Sequence, residues 1–257
     1  MSLTLRQICL VANELRPVID DLKAVFGLEV CYVDDGVGVF GLENALLPLG
    51  TNFIEVVAPI QENTAGGRYL ERRGGDGGYM VITQADAIET QAACRARAEG
   101  LGVRVVWERN HETGNFMQLH PADTGGSFFE IDWDGKNEHQ GHWPPAGGAG
   151  WEKAQRTDVV SAIGVAELQS PDPATLAQRW SAIIDIPLGK DAKGHIEMPL
   201  NNAAIRFVED TDGRGEGLGA LDLVVTDLDR LLKAADERGL KTSDNQVLIC
   251  GVRFNLA

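Results

Sequence analysis

The chain repeats one pattern of secondary structure four times, and this repeat constrains its fold more than any other feature. The first copy opens with an alternating strand, LRQICLVA (5–12), and continues with apolar residues at helical spacing up to Gly27. Three strand-like runs follow: LEVCYVDD (28–35), VGVFGLENALLPL (37–49) and NFIEVVAPI (52–60). The predicted order of elements in one module is therefore β-α-β-β-β.

Three further stretches repeat this order, and the chain has the length for two domains. A helix covers one face of such a small sheet, so the other face must meet a second module. The sequence thus predicts an α+β fold in which the modules pair into two cupped domains, 1–134 and 159–257, joined by a linker at 135–158. The predicted modules span 4–60, 78–134, 159–210 and 217–257.

The linker, GKNEHQGHWPPAGGAGWEKAQRTD, is rich in glycine, proline and charge. Its histidines, His139 and His142, are expected to be solvated rather than to clip a metal. Trp143 and Trp151 are unusual in a free linker, because exposed tryptophan is unfavourable in water. We therefore expect this segment to pack across a groove, as a lid would.

Composition restricts the classes of partner. The net charge of −15 and the pI of about 4.7 disfavour binding to nucleic acid or to an anionic membrane surface. The cysteines (Cys9, Cys31, Cys94 and Cys250) are scattered without a CxxC motif, which is typical of buried free thiols in a reducing compartment. No apolar run reaches 18 residues. These features predict a soluble, cytoplasmic protein.

Three motifs, in the right order within the modules, resemble a known superfamily. HPADTGGSFFEI (120–131) is similar to a signature in which a histidine-proline corner and an Asp-Thr-Gly-Gly turn precede a liganding glutamate. RYLERRGGDGGYMVI (68–82) and NFIEVVAPI (52–60) resemble the segments at the start of module two and the end of module one. The chain resembles the vicinal oxygen chelate superfamily: glyoxalases, methylmalonyl-CoA epimerases, extradiol dioxygenases and bleomycin resistance proteins. The resemblance implies two glyoxalase-like domains.

The resemblance also implies a site in the cup of the first domain. In the family, the first and last strands of each paired module present one ligand to a divalent metal ion, typically two histidines with Glu or Gln. The matching positions here are Gln7, Glu55, Tyr79 and Glu130, so both histidines are missing. Gln7, Glu55 and Glu130 would hold one divalent ion (Mn, Mg, Fe, Ni or Zn), or no metal would bind. In the second case, Glu55 and Glu130 would repel each other, and one would serve as a catalytic base with a raised pKa.

Other candidate ligand-binding residues lie nearby in the sequence. Arg72 and Arg73 form part of the one basic cluster, and the adjacent glycines would let backbone N–H groups approach a phosphate, carboxylate or CoA-like anion. His120 either caps its own turn or reaches a ligand from the rim. In the second half, the positions that match the metal ligands offer no divalent site, and Arg206 is a candidate anion anchor there.

Three functions remain open from the sequence. The first is an enzyme of the glyoxalase, epimerase or dioxygenase kind (a lyase, isomerase or dioxygenase), acting on a small organic molecule in the first cup. The second is a metal-free binding protein for sequestration or resistance, in which Tyr79 and Trp133 would contact the ligand. The third is a structural or regulatory subunit. A homodimer is one of the oligomeric states left open.

Overall fold

The computed structural model describes residues 2–256, and its elements follow the predicted repeat. Module one lacks one regular strand, whereas modules two to four each contain four strands and one helix that follow the β-α-β-β-β order. The elements of modules one and two are β1 (Leu3–Val11), α1 (Leu15–Phe26), β2 (Leu42–Leu49), β3 (Asn52–Pro59), α2 (Ala65–Arg73), β4 (Gly77–Ala85), α3 (Ile88–Gly100), β5 (Val105–His111), β6 (Gly114–Leu119) and β7 (Phe128–Asp132).

The second half repeats the order after two short 3-10 turns in the linker, Pro144–Ala146 and Trp151–Ala154. Its elements are β8 (Val160–Ser170), α4 (Pro173–Ile184), β9 (Gly189–Lys190), β10 (Ile196–Pro199), β11 (Ala204–Glu209), β12 (Gly217–Val225), α5 (Leu228–Glu237), β13 (Lys241–Ser243), β14 (Gln246–Ile249) and β15 (Val252–Leu256). The α+β class and the four modules are confirmed.

The strands form two sheets, each drawn from consecutive modules. The first has seven strands in the order β2-β3-β1-β4-β7-β6-β5, and the second has eight in the order β13-β14-β15-β12-β8-β11-β10-β9. In each module, the first and last strands run parallel, as in the pairs β1–β3 and β4–β7. Parallel pairing of these strands needs a crossover connection, which the module helix provides.

One predicted strand of module one was wrong, and one helix between modules one and two was missed. The run at 28–35 is not a strand: only Tyr32 pairs, in a single bridge to Leu46, and a 3-10 helix (Asp35–Phe40) follows. The Asp34 side chain accepts from the Gly36 N–H at 2.8 Å, so local turn chemistry replaces pairing here. Helix α2, in the segment leading into β4, was not predicted.

The chain divides into two compact units, each built from three stretches. Unit 1 contains 1–6, 79–142 and 165–218, and unit 2 contains 7–78, 143–164 and 219–257. In unit 1, Phe129 of β7 stacks on Trp180 of α4, with ring centroids 4.1 Å apart. In unit 2, Phe26 of α1 packs on Phe254 at 5.0 Å. The predicted domain limits follow the sheets and stay a prediction.

The state of the cysteines and the length of the helices can be compared with the sequence expectations. Cys9, Cys94 and Cys250 are buried, Cys31 is half-buried, and all four are free thiols. No helix within residues 2–256 is long and apolar enough to cross a membrane.

Candidate functional site

Glu55 lies on β3 in unit 2, on a surface that we call the Glu55 face, made of Gln7, Cys9, Asn44, Phe53 and Glu55. The parallel register of β1 and β3 pairs Gln7 with Phe53 and Cys9 with Glu55, which sets these side chains on one face. Glu55 is only 7% exposed. Its Oε2 accepts from Gln7 Nε2 at 2.8 Å, and its Oε1 accepts from Asn44 Nδ2 at 2.6 Å.

The linker covers the Glu55 face. Trp143 is fully buried, and its Nε1–H donates to Gln7 Oε1 at 2.9 Å. The Trp151 ring lies edge-on against Phe53, with centroids 4.9 Å apart. The expectation that the linker tryptophans pack across a groove is confirmed for unit 2. The prediction that the linker histidines are solvated was partly wrong, because His139 and His142 are half-buried.

The hydrogen bonds of this face do not fit the predicted role of Gln7 and Glu55 as metal ligands. Both carboxylate oxygens of Glu55 and the amide oxygen of Gln7 already accept hydrogen bonds from protein groups. Burial raises the pKa of Glu55. Hydrogen bonds from Asn44, Cys9 and Gln7 act in the opposite direction, but the effect of burial is larger. Over residues 2–256, no group of three or more His, Cys, Asp or Glu is arranged to hold a metal ion.

Glu130 lies on β7 in unit 1, and its surroundings differ from those of Glu55. By alternation along β7, the Glu130 and Asp132 side chains share one face, while Phe129 and Ile131 are fully buried on the other. Glu130 is 5% exposed and Asp132 is fully buried. Burial raises the pKa of Asp132 well above its ordinary value of 3.8, and the charge of Glu130 raises it further. Asp132 was not a predicted site residue.

The strands beside β7 extend this surface, which we call the Glu130 face. Glu130 pairs with Ile82 on β4 and with Gln118 on β6, and Gln118 pairs in turn with Trp107 on β5. Gln118 and Trp107 are half-buried, and the Gln118 amide makes no hydrogen bond to any of residues 2–256. The Glu130 face therefore combines ring, amide and carboxyl groups. Its members are Ile82, Gln84, Trp107, Gln118, Phe128, Glu130 and Asp132.

A buried arginine closes one end of the Glu130 face. Arg6 is fully buried, and its Nη1 donates to Gln84 Oε1 and to the Glu138 carbonyl, both at 2.7 Å. Its Nη2 donates to the Gly141 carbonyl at 2.9 Å. Burial lowers the pKa of Arg6 to about 10, whereas the charges of Asp134 and Glu138 oppose this change. Arg6 fixes the start of the linker against β4, and the sequence pattern gave no signal for it.

Three predicted ligand-binding residues lie in unit 1, in different settings. The Tyr79 ring contacts the Phe128 ring edge-on, with centroids 5.0 Å apart. The Trp133 indole donates to Asn137 Oδ1 at 3.1 Å, beyond the end of β7. His120 Nδ1 accepts from the Ala122 N–H at 3.0 Å, so His120 caps its own turn. Their roles toward a ligand stay predictions.

The arginines of the predicted anion site lie at the C-terminal end of α2. Arg72 lies over the Tyr69 ring, 5.4 Å from its centroid, and Arg73 is buried. The N–H groups of Gly74 and Gly75 donate to Glu71 and Leu70 carbonyls, as in a helix C-cap. These donors are therefore engaged, and a helix C-terminus disfavours an anion. Anion binding by Arg72 and Arg73 stays a prediction that this geometry does not favour.

Arg206, the candidate anion anchor of the second half, is surrounded by carboxylates in unit 1. Its guanidinium lies 3.3 Å from Glu167 Oε2 and 3.1 Å from Asp191 Oδ2. Glu197 Oε1 is 4.0 Å away. The charge of Arg206 is thus neutralised by the protein, and the anion-anchor interpretation was wrong.

One surface cleft includes Trp107 of the Glu130 face, and a second lies beside neither face. A cleft of about 770 Å³ runs between α3 and β5, and one of about 440 Å³ lies beside α2. Neither is lined by Glu55 or Glu130. They show no convergence of the predicted site residues.

Comparison with known proteins defines the class. A family model described as the glyoxalase-like domain matches residues 8–184. A hypothetical protein from Staphylococcus aureus has the same fold over 100% of this chain and 99% of its own, with a TM-score of 0.63 and 14% identity. No curated protein sequence matches the chain.

Shorter solved structures match about half of the chain. Methylmalonyl-CoA epimerase from Mycobacterium tuberculosis is 24% identical over 51% of this chain and 87% of its own, with a TM-score of 0.42. Streptomyces coelicolor methylmalonyl-CoA epimerase in complex with 2-nitronate-propionyl-CoA is 20% identical over 52% of this chain and 99% of its own, with a TM-score of 0.44.

The repeated modules, the two mixed sheets and the family match together define a protein of the vicinal oxygen chelate class. The chain belongs to the glyoxalase-like domain family.

Proposed function

We propose that this protein binds a small organic molecule at the Glu130 face, without a metal ion. The observation that carries the proposal is the buried pair of carboxyl groups, Glu130 and Asp132, with the raised pKa of Asp132. Half-buried Gln118 and Trp107 are paired across neighbouring strands, and they supply a ring and an amide that has no hydrogen bond to residues 2–256. A few polar groups among apolar side chains are typical of small-molecule sites.

The carboxyl pair determines what the site recognises. Two adjacent buried carboxyl groups cannot both ionise at low cost, which favours a state in which the pair holds one proton. The protonated group donates a hydrogen bond to a ligand oxygen, and the ionised group accepts one from a ligand hydroxyl or N–H. The ligand therefore carries a carbonyl or hydroxyl group, and its recognition does not require a cation.

The same pair favours a second candidate function, which is proton transfer to and from the bound molecule. A carboxyl pair whose pKa values are separated contains both an acid and a base. Glu130 is the member with residual exposure, so it would exchange the proton with the substrate, while Asp132 would hold Glu130 in the required protonation state. The reaction class is an isomerisation of the epimerase kind, with no redox step.

A matched pair of variants tests the proposal. Methylmalonyl-CoA, bleomycin and a catechol represent three branches of the superfamily, and binding is measured by calorimetry and by thermal shift in EDTA. We expect at least one compound to bind, Glu130→Gln to weaken its binding at least tenfold, and Glu55→Gln to leave the binding within twofold. Proton exchange at the bound compound, followed by NMR in D₂O, separates an enzyme from a binding protein.

Three results would contradict the proposal. The first is that no compound binds, the second is equal loss in both variants, and the third is binding that requires added divalent metal. Circular dichroism of each variant confirms that the fold is retained, since each change removes a charge without altering side-chain size.

A further inference from the structure

The indole of Trp143 packs on the Glu55 face. Trp143 belongs to the linker rather than to a regular element, yet it is fully buried. Its Nε1–H points at Gln7 Oε1, 2.9 Å away. Gln7 is thereby oriented, because its Nε2 donates in the opposite direction, to Glu55 Oε2 at 2.8 Å. The acceptor is therefore fixed in place for an N–H donor.

A chain of hydrogen bonds holds this acceptor. Asn44 donates to Glu55, and Glu55 accepts from Gln7, which accepts in turn from Trp143. Each member is at most 7% exposed. A buried acceptor with a fixed orientation discriminates between ring systems that do and do not carry an N–H group, since an unmatched buried group loses its hydration without compensation.

The segment that carries Trp143 satisfies its own backbone. The Trp143 N–H donates to the Gly148 carbonyl at 3.0 Å, and the Gly148 N–H donates to the Trp143 carbonyl at 2.9 Å. A 3-10 turn, Pro144–Ala146, closes this loop, and Gly147 has a left-handed φ of 80°. The loop therefore needs little from β1 or β3 for its backbone, and the indole is the group that it inserts into the face.

We propose that the Glu55 face is a recognition site for a planar aromatic group with an N–H donor, and that Trp143 is its intramolecular ligand. The chemical class is an indole or a similar fused heterocycle. Gln7 determines the specificity through its amide oxygen, and Asn44 and Glu55 are positioning residues that hold Gln7. The proposal concerns unit 2 only and is independent of the Glu130 face.

The test removes the internal ligand and supplies an external one. Trp143→Gly opens the face, and indole is then titrated by calorimetry, with 1-methylindole as the analogue that lacks the N–H. We expect saturable 1:1 binding of indole and at least tenfold weaker binding of 1-methylindole. Gln7→Leu in the same background should abolish this difference, whereas Glu130→Gln should leave it unchanged. The last control separates failure here from failure of the proposed function.

Equal binding of the two compounds, or no binding of indole to a folded Trp143→Gly variant, would overturn the proposal. If Trp143→Gly does not fold, Trp143→Phe fills much of the space without an N–H. Gln7→Leu should then lower Tm in the wild-type background by clearly more than in the Trp143→Phe background. Equal decreases in the two backgrounds would show that Gln7 does not recognise the indole, and would also overturn the proposal.

Discussion

Glu55 and Glu130 occupy matching places in two modules, but their neighbours give them different chemistry. Side-chain amides donate to both oxygens of Glu55, so the protein itself already provides a hydrogen-bond partner for each oxygen. Glu130 instead neighbours Asp132, a group that competes with it for a proton. Equivalent residues in a repeat thus take different roles through the residues around them, which is why the fold alone does not assign function.

The raised pKa of Asp132 predicts how stability depends on pH. The folded protein holds this proton more tightly than the unfolded chain does, so the stability it contributes is complete below pH 3.8 and is lost as pH rises toward the raised pKa. Over this window, the free energy of unfolding falls by at most about 1.4 kcal/mol per pH unit for one proton. Asp132→Asn should make this decrease smaller, as measured by urea unfolding from pH 4 to about pH 8, while the raised pKa of Glu55 leaves a remaining decrease of the same sign.

Asp123→Asn is the matched control for this experiment. A hydrogen bond from Arg104 lowers the pKa of Asp123 to about 2, so Asp123 stays ionised throughout this pH range. The control should keep the wild-type slope. An Asp132→Asn variant with that same slope would show that Asp132 does not take up a proton on folding.

The faces of these residues follow from the local sequence, whereas their partners do not. Alternation sets Glu130 with Asp132 and opposite the buried Phe129, because the side-chain period of a strand is local information. The role of Asn44 was missed, since its contact with Glu55 depends on the register between β2 and β3. Gln7 was predicted as a metal ligand, but its oxygen faces a tryptophan 136 residues away in sequence.

At the scale of elements, the residues that cap helices determined where the predicted helix boundaries were right. Gly27 ends α1 with a φ of 69°, as its position predicted. Helix α2 was missed because Gly66 and Gly67 disfavour a helix by propensity. Thr64, which accepts from the Gly67 N–H at 2.9 Å, was the available signal for its start.

Gly27 and Gly239 give a comparison of a packed and an unpacked helix end. Both have left-handed φ angles, +69° and +70°, so alanine should cost about 1–2 kcal/mol at either position. A Cβ at Gly27 would lie 3.1 Å from Val159 Cγ2, whereas nothing lies within 4 Å at Gly239. Urea unfolding should therefore show a larger loss for Gly27→Ala than for Gly239→Ala. Equal losses would mean that the Val159 side chain moves away freely.

At the scale of the whole molecule, each compact unit is assembled from separated stretches of chain. The stacking of Phe129 on Trp180 in unit 1 joins residues on either side of the linker. The Phe26–Phe254 contact does the same in unit 2. The modular order of the chain predicted the sheets. The ring contacts between modules depend on which elements pack together, and the periodicity of the sequence does not predict that.

This arrangement predicts that the two halves do not fold separately. A fragment of residues 1–134 lacks the stretches 143–164 and 165–218, and therefore loses partners of both units. Expressed alone, it should show no cooperative thermal transition by circular dichroism, while mixing it with a fragment of 135–257 should restore one. A cooperative transition of the isolated 1–134 fragment near the Tm of the intact chain would contradict this.

Each unit also contains one indole that is completely shielded from solvent, Trp143 in unit 2 and Trp180 in unit 1. Tryptophan emission shifts to longer wavelength when the ring becomes wet, so these two rings are natural reporters. Two variants, each with four of the five tryptophans replaced by phenylalanine, would keep Trp143 alone or Trp180 alone as the reporter. Stopped-flow fluorescence of the pair would then reveal whether the two units lose their structure in a single event or one after the other.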